Sequence, residues 1–199
     1  GIEIRGELGW AQVDLALESG VGLLERLAEG AGAAGGQLLL QGRPLAQHVL
    51  QRLQPQVQQL LISANRHLPE YAALGAPVQT DAPAWQGMGP LAALATLAGQ
   101  AAPGPAPDYL QLVPCDTPHL PADLVAQLLQ CLQQDPSLEL VYPSTKEGVQ
   151  PACLLAQWSI VASVPGYLTQ GGRSLRGWIA TRKAAVVPFA AAADFANAN

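Results

Sequence analysis

From Pro44 onward the sequence repeats one unit: a short apolar run, a turn rich in glycine or proline, and a stretch whose leucines recur at helical spacing. Strands that alternate with amphipathic helices build a parallel sheet covered on both faces. The expectation is therefore a three-layer α/β domain with a mostly parallel sheet. Leu45, Val49, Leu50 and Leu53 share one helical face, which Pro55 ends, and Val57 to Ser63 then reads as a strand. His67 to Leu74 reads as a helix and Pro77 to Gln79 as a short strand. Gly89 and Pro90 open a helix striped by Leu91, Leu94 and Leu97, with proline at a first-turn position that tolerates it. Tyr109 to Val113 is almost continuously apolar, as a strand buried on both faces must be. Pro121 to about Gln134 reads as a helix, Leu138 to Tyr142, Ala152 to Ala156 and Ala185 to Phe189 as strands, and Val164 to Ile179 as two short helices.

Residues 1–36 follow a different pattern. Val13, Leu15 and Leu17 alternate like a strand, Leu23, Leu24, Leu27 and Ala28 fit a helix, and the segment ends in a run of Gly and Ala from Gly30 to Gly36. That run matches Gly-x-Gly-x-x-Gly, but a dinucleotide fingerprint needs a strand before it and a helix after it. With a helix-like stretch in front, a loop is expected. Residues 101–107, rich in Ala and Pro, are expected to be a surface loop and not a linker, so the 199 residues are taken as one domain.

Only 13% of the chain is charged and its net charge is −5, which excludes the basic footprint that nucleic-acid backbones require. No apolar window is long enough for a membrane span, and the start lacks a basic and then apolar leader, so no membrane partner and a cytoplasmic location are expected. Cys115, Cys131 and Cys153 are odd in number and widely spaced, which points to buried free thiols.

The sharpest local pattern is Val113-Pro114-Cys115-Asp116-Thr117-Pro118-His119. A carboxylate just beyond a buried parallel strand stands at the crevice where open α/β sheets bind ligands. Asp116 there either holds a divalent cation, with magnesium suiting a site that also offers phosphate oxygens, or caps the following turn. His119 reads as a surface residue of that turn. Ile62-Ser63-Ala64-Asn65-Arg66 ends another strand and Asp81 follows a third. Their small polar groups either read a base or ribose edge or serve as turn residues and caps.

The motifs Gly42-Arg43-Pro44-Leu45 with His48, Ser63-Ala64-Asn65-Arg66, Asp81, Gly89-Pro90-Leu91-Ala92, Pro114-Cys115-Asp116-Thr117-Pro118 and Asn197-Ala198-Asn199 occur in one order. Over Gly36 to Asn199 this order closely resembles the molybdenum cofactor guanylyltransferases. The resemblance implies a Rossmann-like, nucleotide-binding fold and transfer of GMP from GTP to molybdopterin with release of pyrophosphate. By the same resemblance Asp116 is the catalytic, magnesium-holding carboxylate. Ser63, Asn65, Asp81, Gly89 and Pro90 join it in binding the nucleotide, and Arg173, Asn197 and Asn199 face the molybdopterin. Molybdopterin-handling proteins and molybdoenzymes are the implied protein partners. Two positions depart from the family: Ser63 stands where Asn is frequent, and Gln150-Pro151 where His-Pro is usual.

The larger departure lies at the amino end. The family's first strand runs into a Leu-Ala-Gly-Gly loop followed by an Arg and an Asp-Lys pair, whose amides and cations hold the triphosphate. Counted back from Gly42, the Asp-Lys pair falls on Ala34 and Gly35, and no Arg or Lys lies between Arg26 and Arg43. The nearest match to the loop is Leu27-Ala28-Glu29-Gly30. Three readings remain at this point: a working guanylyltransferase with an altered amino end, an impaired homologue that binds molybdopterin or a partner, and a sugar-nucleotide-type transferase on the same fold.

Overall fold

The computed structural model describes residues 21–26, 39–100 and 106–196, the first of these segments by its backbone path alone. A sheet of eight strands runs through the middle. It comprises β1 (Val21–Arg26), β4 (Gln59–Ser63), β5 (Val78–Gln79), β6 (Tyr109–Pro114), β7 (Leu140–Thr145), β8 (Gly148–Val149), β9 (Leu155–Gln157) and β10 (Ala184–Pro188). Their order is β10-β7-β9-β6-β1-β4-β5, with β8 attached to β7. All but β8 and β9 point the same way, and those two pair antiparallel. The expected three layers and mostly parallel sheet are present.

Alternation along each strand divides the core. Tyr109 and Val113 of β6 face one side while Leu110 and Leu112 face the other, so β6 is covered on both faces as its apolar run requires. On the first side lie α1 (Leu45–Leu53) and α4 (Leu124–Gln134), with α2 (Leu68–Ala72) closing a smaller cluster around Ile62, Tyr71 and Cys115. On the second lie α3 (Pro90–Ala98), α5 (Trp158–Val161), α6 (Val164–Thr169) and α7 (Leu175–Ile179), packed around the fully buried Trp178. The leucine stripe of α1 is buried as expected, and a two-stranded hairpin, β2 (Leu39–Leu40) and β3 (Arg43–Pro44), leads into it. Its turn, Gln41-Gly42, has positive φ at both residues, which explains the glycine. His48 of α1 ties down the hairpin through a 2.9 Å bond between Nε2 and the Leu40 carbonyl.

Three expectations need correcting. Leu23 and Leu24 lie in a strand and not a helix: Val21–Arg26 pairs in parallel with β4 on one side and β6 on the other. A short apolar run fits either period, and here the open slot between two strands decides it by completing both hydrogen-bond ladders. The expectation that the strands ending at Ser63, Gln79 and Val113 adjoin one another holds for β4 and β5, but β1 separates β6 from β4. The third correction concerns Ala152 to Ala156, where a 3-10 turn at Pro151–Cys153 precedes the short β9. The Leu112 amide still donates to the Leu154 carbonyl at 2.8 Å, and one residue earlier the buried Gln111 Nε2 donates to the Cys153 carbonyl at 3.1 Å. The helix expected from Pro121 starts at Leu124, after a turn closed by the Leu124 amide on the Pro121 carbonyl. Val13, Leu15 and Leu17, the Gly30 to Gly36 run and residues 101–105 lie outside the described residues.

Candidate functional site

Parallel strands place their carboxyl ends on one rim, and the polar residues singled out in the sequence are found there. Ser63 ends β4, Asp81 follows β5 by two residues, and Asp116 follows β6 by two. All three are buried, with 2%, 2% and 4% of their surface exposed, whereas His119 is exposed as expected. Between them, Arg26 at the end of β1 is in register with Ser63 on one side and Pro114 on the other.

The β4–β5 corner is tied by paired bonds. Asn65 donates through Nδ2 to Asp81 Oδ2 at 2.8 Å, and the Asp81 amide donates back to Asn65 Oδ1 at 2.9 Å. The next amide, Ala82, donates to Thr96 Oγ1 of α3 at 2.8 Å, which fastens the corner to the helix. Beneath it Gln79 Nε2 reaches the Ala93 carbonyl at 3.4 Å. Gly89, immediately before α3, adopts φ 59° and ψ −151°, a conformation open to glycine and not to residues with a Cβ. Pro90 then starts the helix without needing a donor.

The Asp116 turn is held differently. Thr117 donates through its hydroxyl to the Pro114 carbonyl at 3.1 Å, and Cys115 is buried in the core with Ala46, Leu50 and Ile62. The turn then runs to Pro121, whose carbonyl accepts from Gln56 Nε2 at 3.1 Å, while Gln56 Oε1 accepts from the Val125 amide at 3.0 Å. The sequence reading missed Gln56, which replaces a side-chain cap on α4. Glutamine on a helical surface carries no signal of that kind.

Burial, and after it the nearby Asp116 carboxylate, pushes the Cys153 thiol up to about 12. Cys131, also raised by burial and by Asp135, is half-buried and not fully buried as expected. With Cys115 in the core and Cys153 held as a neutral thiol, the rim offers a metal hard carboxylate oxygen and no thiolate. That chemistry fits magnesium, which takes one or two carboxylates and completes its shell with phosphate oxygens and water.

Arg173 stands apart from this corner, in the turn between α6 and α7. Its side chain is exposed, and Nη1 donates to the carbonyls of Leu168 at 2.8 Å and Gly172 at 2.6 Å, closing the end of α6. The turn is close-packed: a Cβ on Gly172 would lie 2.3 Å from the Tyr167 ring. The structure gathers Ser63, Asn65 and Asp81 at one corner of the rim that also carries Asp116, while Gly89 and Pro90 open α3, whose Ala93 and Thr96 bond to that corner. Asn197 and Asn199 lie outside the described residues.

A family model, the MobA-like NTP transferase domain, matches residues 31–186. The chain belongs to that family. Relatives named molybdenum cofactor guanylyltransferase include one from Cupriavidus taiwanensis, 41% identical over 167 residues and covering 80% of each chain. Another, from Burkholderia lata, is 42% identical over 178 residues, covering 84% of this chain and 83% of the relative. Among solved structures, molybdopterin-guanine dinucleotide biosynthesis protein A from Archaeoglobus fulgidus superposes with a TM-score of 0.64 at 13% identity, covering 84% of this chain and 83% of that one. At that identity the likeness shows the fold alone. The family's match to the chain starts within the glycine-rich run, and the strand found at Val21–Arg26 supplies the strand that the run lacked in the sequence reading.

Proposed function

We propose that the chain acts as one nucleotidyltransferase domain that moves GMP from GTP to molybdopterin. A phosphate oxygen of the pterin attacks the α-phosphorus of GTP. A phosphorus–oxygen bond forms there as the bond to the bridging α–β oxygen breaks, and the electron pair leaves with pyrophosphate. The observation that carries this reading is Asp116, buried on the same rim as Ser63 and the Asn65–Asp81 pair. Relatives named molybdenum cofactor guanylyltransferase support it over a binding-only role.

In this reading Ser63, Asn65, Asp81, Gly89 and Pro90 bind the nucleotide, and Asp116 holds magnesium against the phosphates. When bound, magnesium neutralises charge on the phosphate oxygens. Arg173 faces the acceptor, where a guanidinium suits the pterin's phosphate, and Asn197 and Asn199 extend that side.

The amino end sets the rate. Ala34 and Gly35 fall where the family carries Asp-Lys, and Arg26 is the residue of β1 in register with Ser63 and Pro114. The test is pyrophosphate release from GTP, magnesium and molybdopterin, run on this chain and on a version bearing the family's Arg- and Lys-containing loop. Slow release that the loop raises by about 10²-fold or more supports the proposal. Absence of release from both chains overturns it. Full activity in the unaltered chain assigns the missing charge to Arg26, Arg43 or Arg66.

A further inference from the structure

β9 pairs with β6 and β7, but its ladder begins only at Leu155, opposite Gln111 of one and Val141 of the other. Toward the rim, Gln150 and the 3-10 turn at Pro151–Cys153 take its place between the carboxyl halves of those strands. The Leu112 amide donates to the Leu154 carbonyl at 2.8 Å, so stepping back from Leu154 to Gln150 follows β6 forward toward Asp116. The Cys153 thiol feels the Asp116 carboxylate, which agrees with that course. Since β1, β4 and β5 lie on the other side of β6, Gln150 flanks Asp116 on the side away from the β4–β5 corner. Its main chain is pinned twice: the amide donates to the Pro143 carbonyl of β7 at 2.8 Å, and the carbonyl accepts from the Cys153 amide at 3.0 Å. Its side chain is only half-buried, so solvent reaches it, and it bonds to none of the described residues.

We infer that Gln150 binds the acceptor, its Nε2 donating to an oxygen of the pterin's phosphate as that phosphate approaches the α-phosphorus. The inference rests on the proposal that the β4–β5 corner holds GTP and that Asp116 marks the reacting centre. In such a displacement the attacking and leaving oxygens stand on opposite sides of the phosphorus. Asp116 lies between the corner and Gln150 across the rim, so the attacking phosphate has its place on the Gln150 flank. An amide NH₂ offers donors without adding charge, and it orients the phosphate while the charge stays on the oxygen that attacks. Holding that oxygen in line contributes to the rate through positioning. With the main chain already pinned, only the side chain has to be ordered when the acceptor binds.

The experiment titrates the full chain with molybdopterin and, separately, with GTP and magnesium, by calorimetry, and repeats both for Gln150→Leu and Gln150→His. Expected for Gln150→Leu is a loss of about tenfold in molybdopterin affinity, the size of one hydrogen bond. GTP affinity and the melting temperature should hold, because the amide bonds to none of the described residues. Gln150→His keeps a ring N–H at similar reach and should retain most of the acceptor affinity. Unchanged molybdopterin affinity in Gln150→Leu, or an equal loss for GTP, overturns the inference alone. A loss that Gln150→His shares in full, with a lower melting temperature, makes Gln150 structural and overturns it too. If the unaltered chain binds GTP and not molybdopterin, the acceptor reading of the site fails, and the role of Gln150 with it.

Discussion

The β4–β5 corner and the α6–α7 turn are fastened by different chemistry. At the β4–β5 corner side chains bond to side chains and to part-buried amides: Asn65 with Asp81 in both directions and Ala82 with Thr96, with Gln79 reaching a carbonyl of α3. At the α6–α7 turn the groups are exposed and bond mostly to local carbonyls, as Arg173 does with Leu168 and Gly172. The first end is prepared before any ligand arrives, since each polar group already has its geometry fixed at low cost of further ordering. The second presents a cation that water can reach. A corner of the first kind suits discrimination among similar bases, and a turn of the second kind suits capture of a charged group.

The most severe test of that contrast lies at Asp116. Asp116→Asn keeps shape and burial but removes the charge that a cation needs. Pyrophosphate release should fall by about 10²–10³-fold, the range seen when one fixed electrostatic group is lost. The unliganded melting temperature should change little by comparison. If release persists, Asp116 only shapes its turn, and the corner and the α6–α7 turn lose the reacting centre proposed to join them.

Next in size is Asn65→Ala. It removes one bond to a carboxylate and leaves the Asp81 amide without its acceptor, so a stability loss of about 2–3 kcal/mol is expected from chemical denaturation. GTP affinity should drop with it, while molybdopterin binding should not. A loss confined to stability would make the corner a structural clasp. Arg173→Ala should give the reverse pattern. Molybdopterin binding should weaken by about tenfold with GTP binding intact, and stability should fall by about 1 kcal/mol, because the bond to Gly172 is exposed and the one to Leu168 only part-buried. Unchanged molybdopterin binding would remove Arg173 from the acceptor side.

The difference between the ends also explains what could be read from the sequence. Leu91, Leu94 and Leu97, the Tyr109 to Val113 run and the α1 stripe carry periods that only one packing satisfies, so the layers were legible. Strand-end polar residues were legible too, because a parallel sheet sends all such ends to one rim. Val21–Arg26 was not, because six residues with two central leucines fit a helix as well as a strand until both neighbours are known. The pairing of Asn65 with Asp81, 16 residues apart, and the reach of Gln56 to Val125, 69 residues apart, depend on how elements pack. No local spacing encodes them.

The smallest expected effects set one hydroxyl from each end against the other. Thr96 Oγ1 accepts from the Ala82 amide at 2.8 Å and is 5% exposed, whereas Ser174 Oγ accepts from the Gly177 amide at 3.0 Å on an exposed turn that starts α7. Thr96→Val keeps the shape and deletes the acceptor, leaving a part-buried amide without a partner. The cost should be about 1–3 kcal/mol. Because that amide directly follows Asp81, GTP affinity should weaken by a few-fold. Ser174→Ala deletes a helix cap where solvent can take its place, so about 0.5–1 kcal/mol is expected, with GTP affinity unmoved. Both are measured by denaturant unfolding and nucleotide titration of the same preparations. Equal costs would mean that water reaches the β4–β5 corner as freely as it reaches the α6–α7 turn. The corner would then lose the dryness that lets single hydrogen bonds separate one base from another.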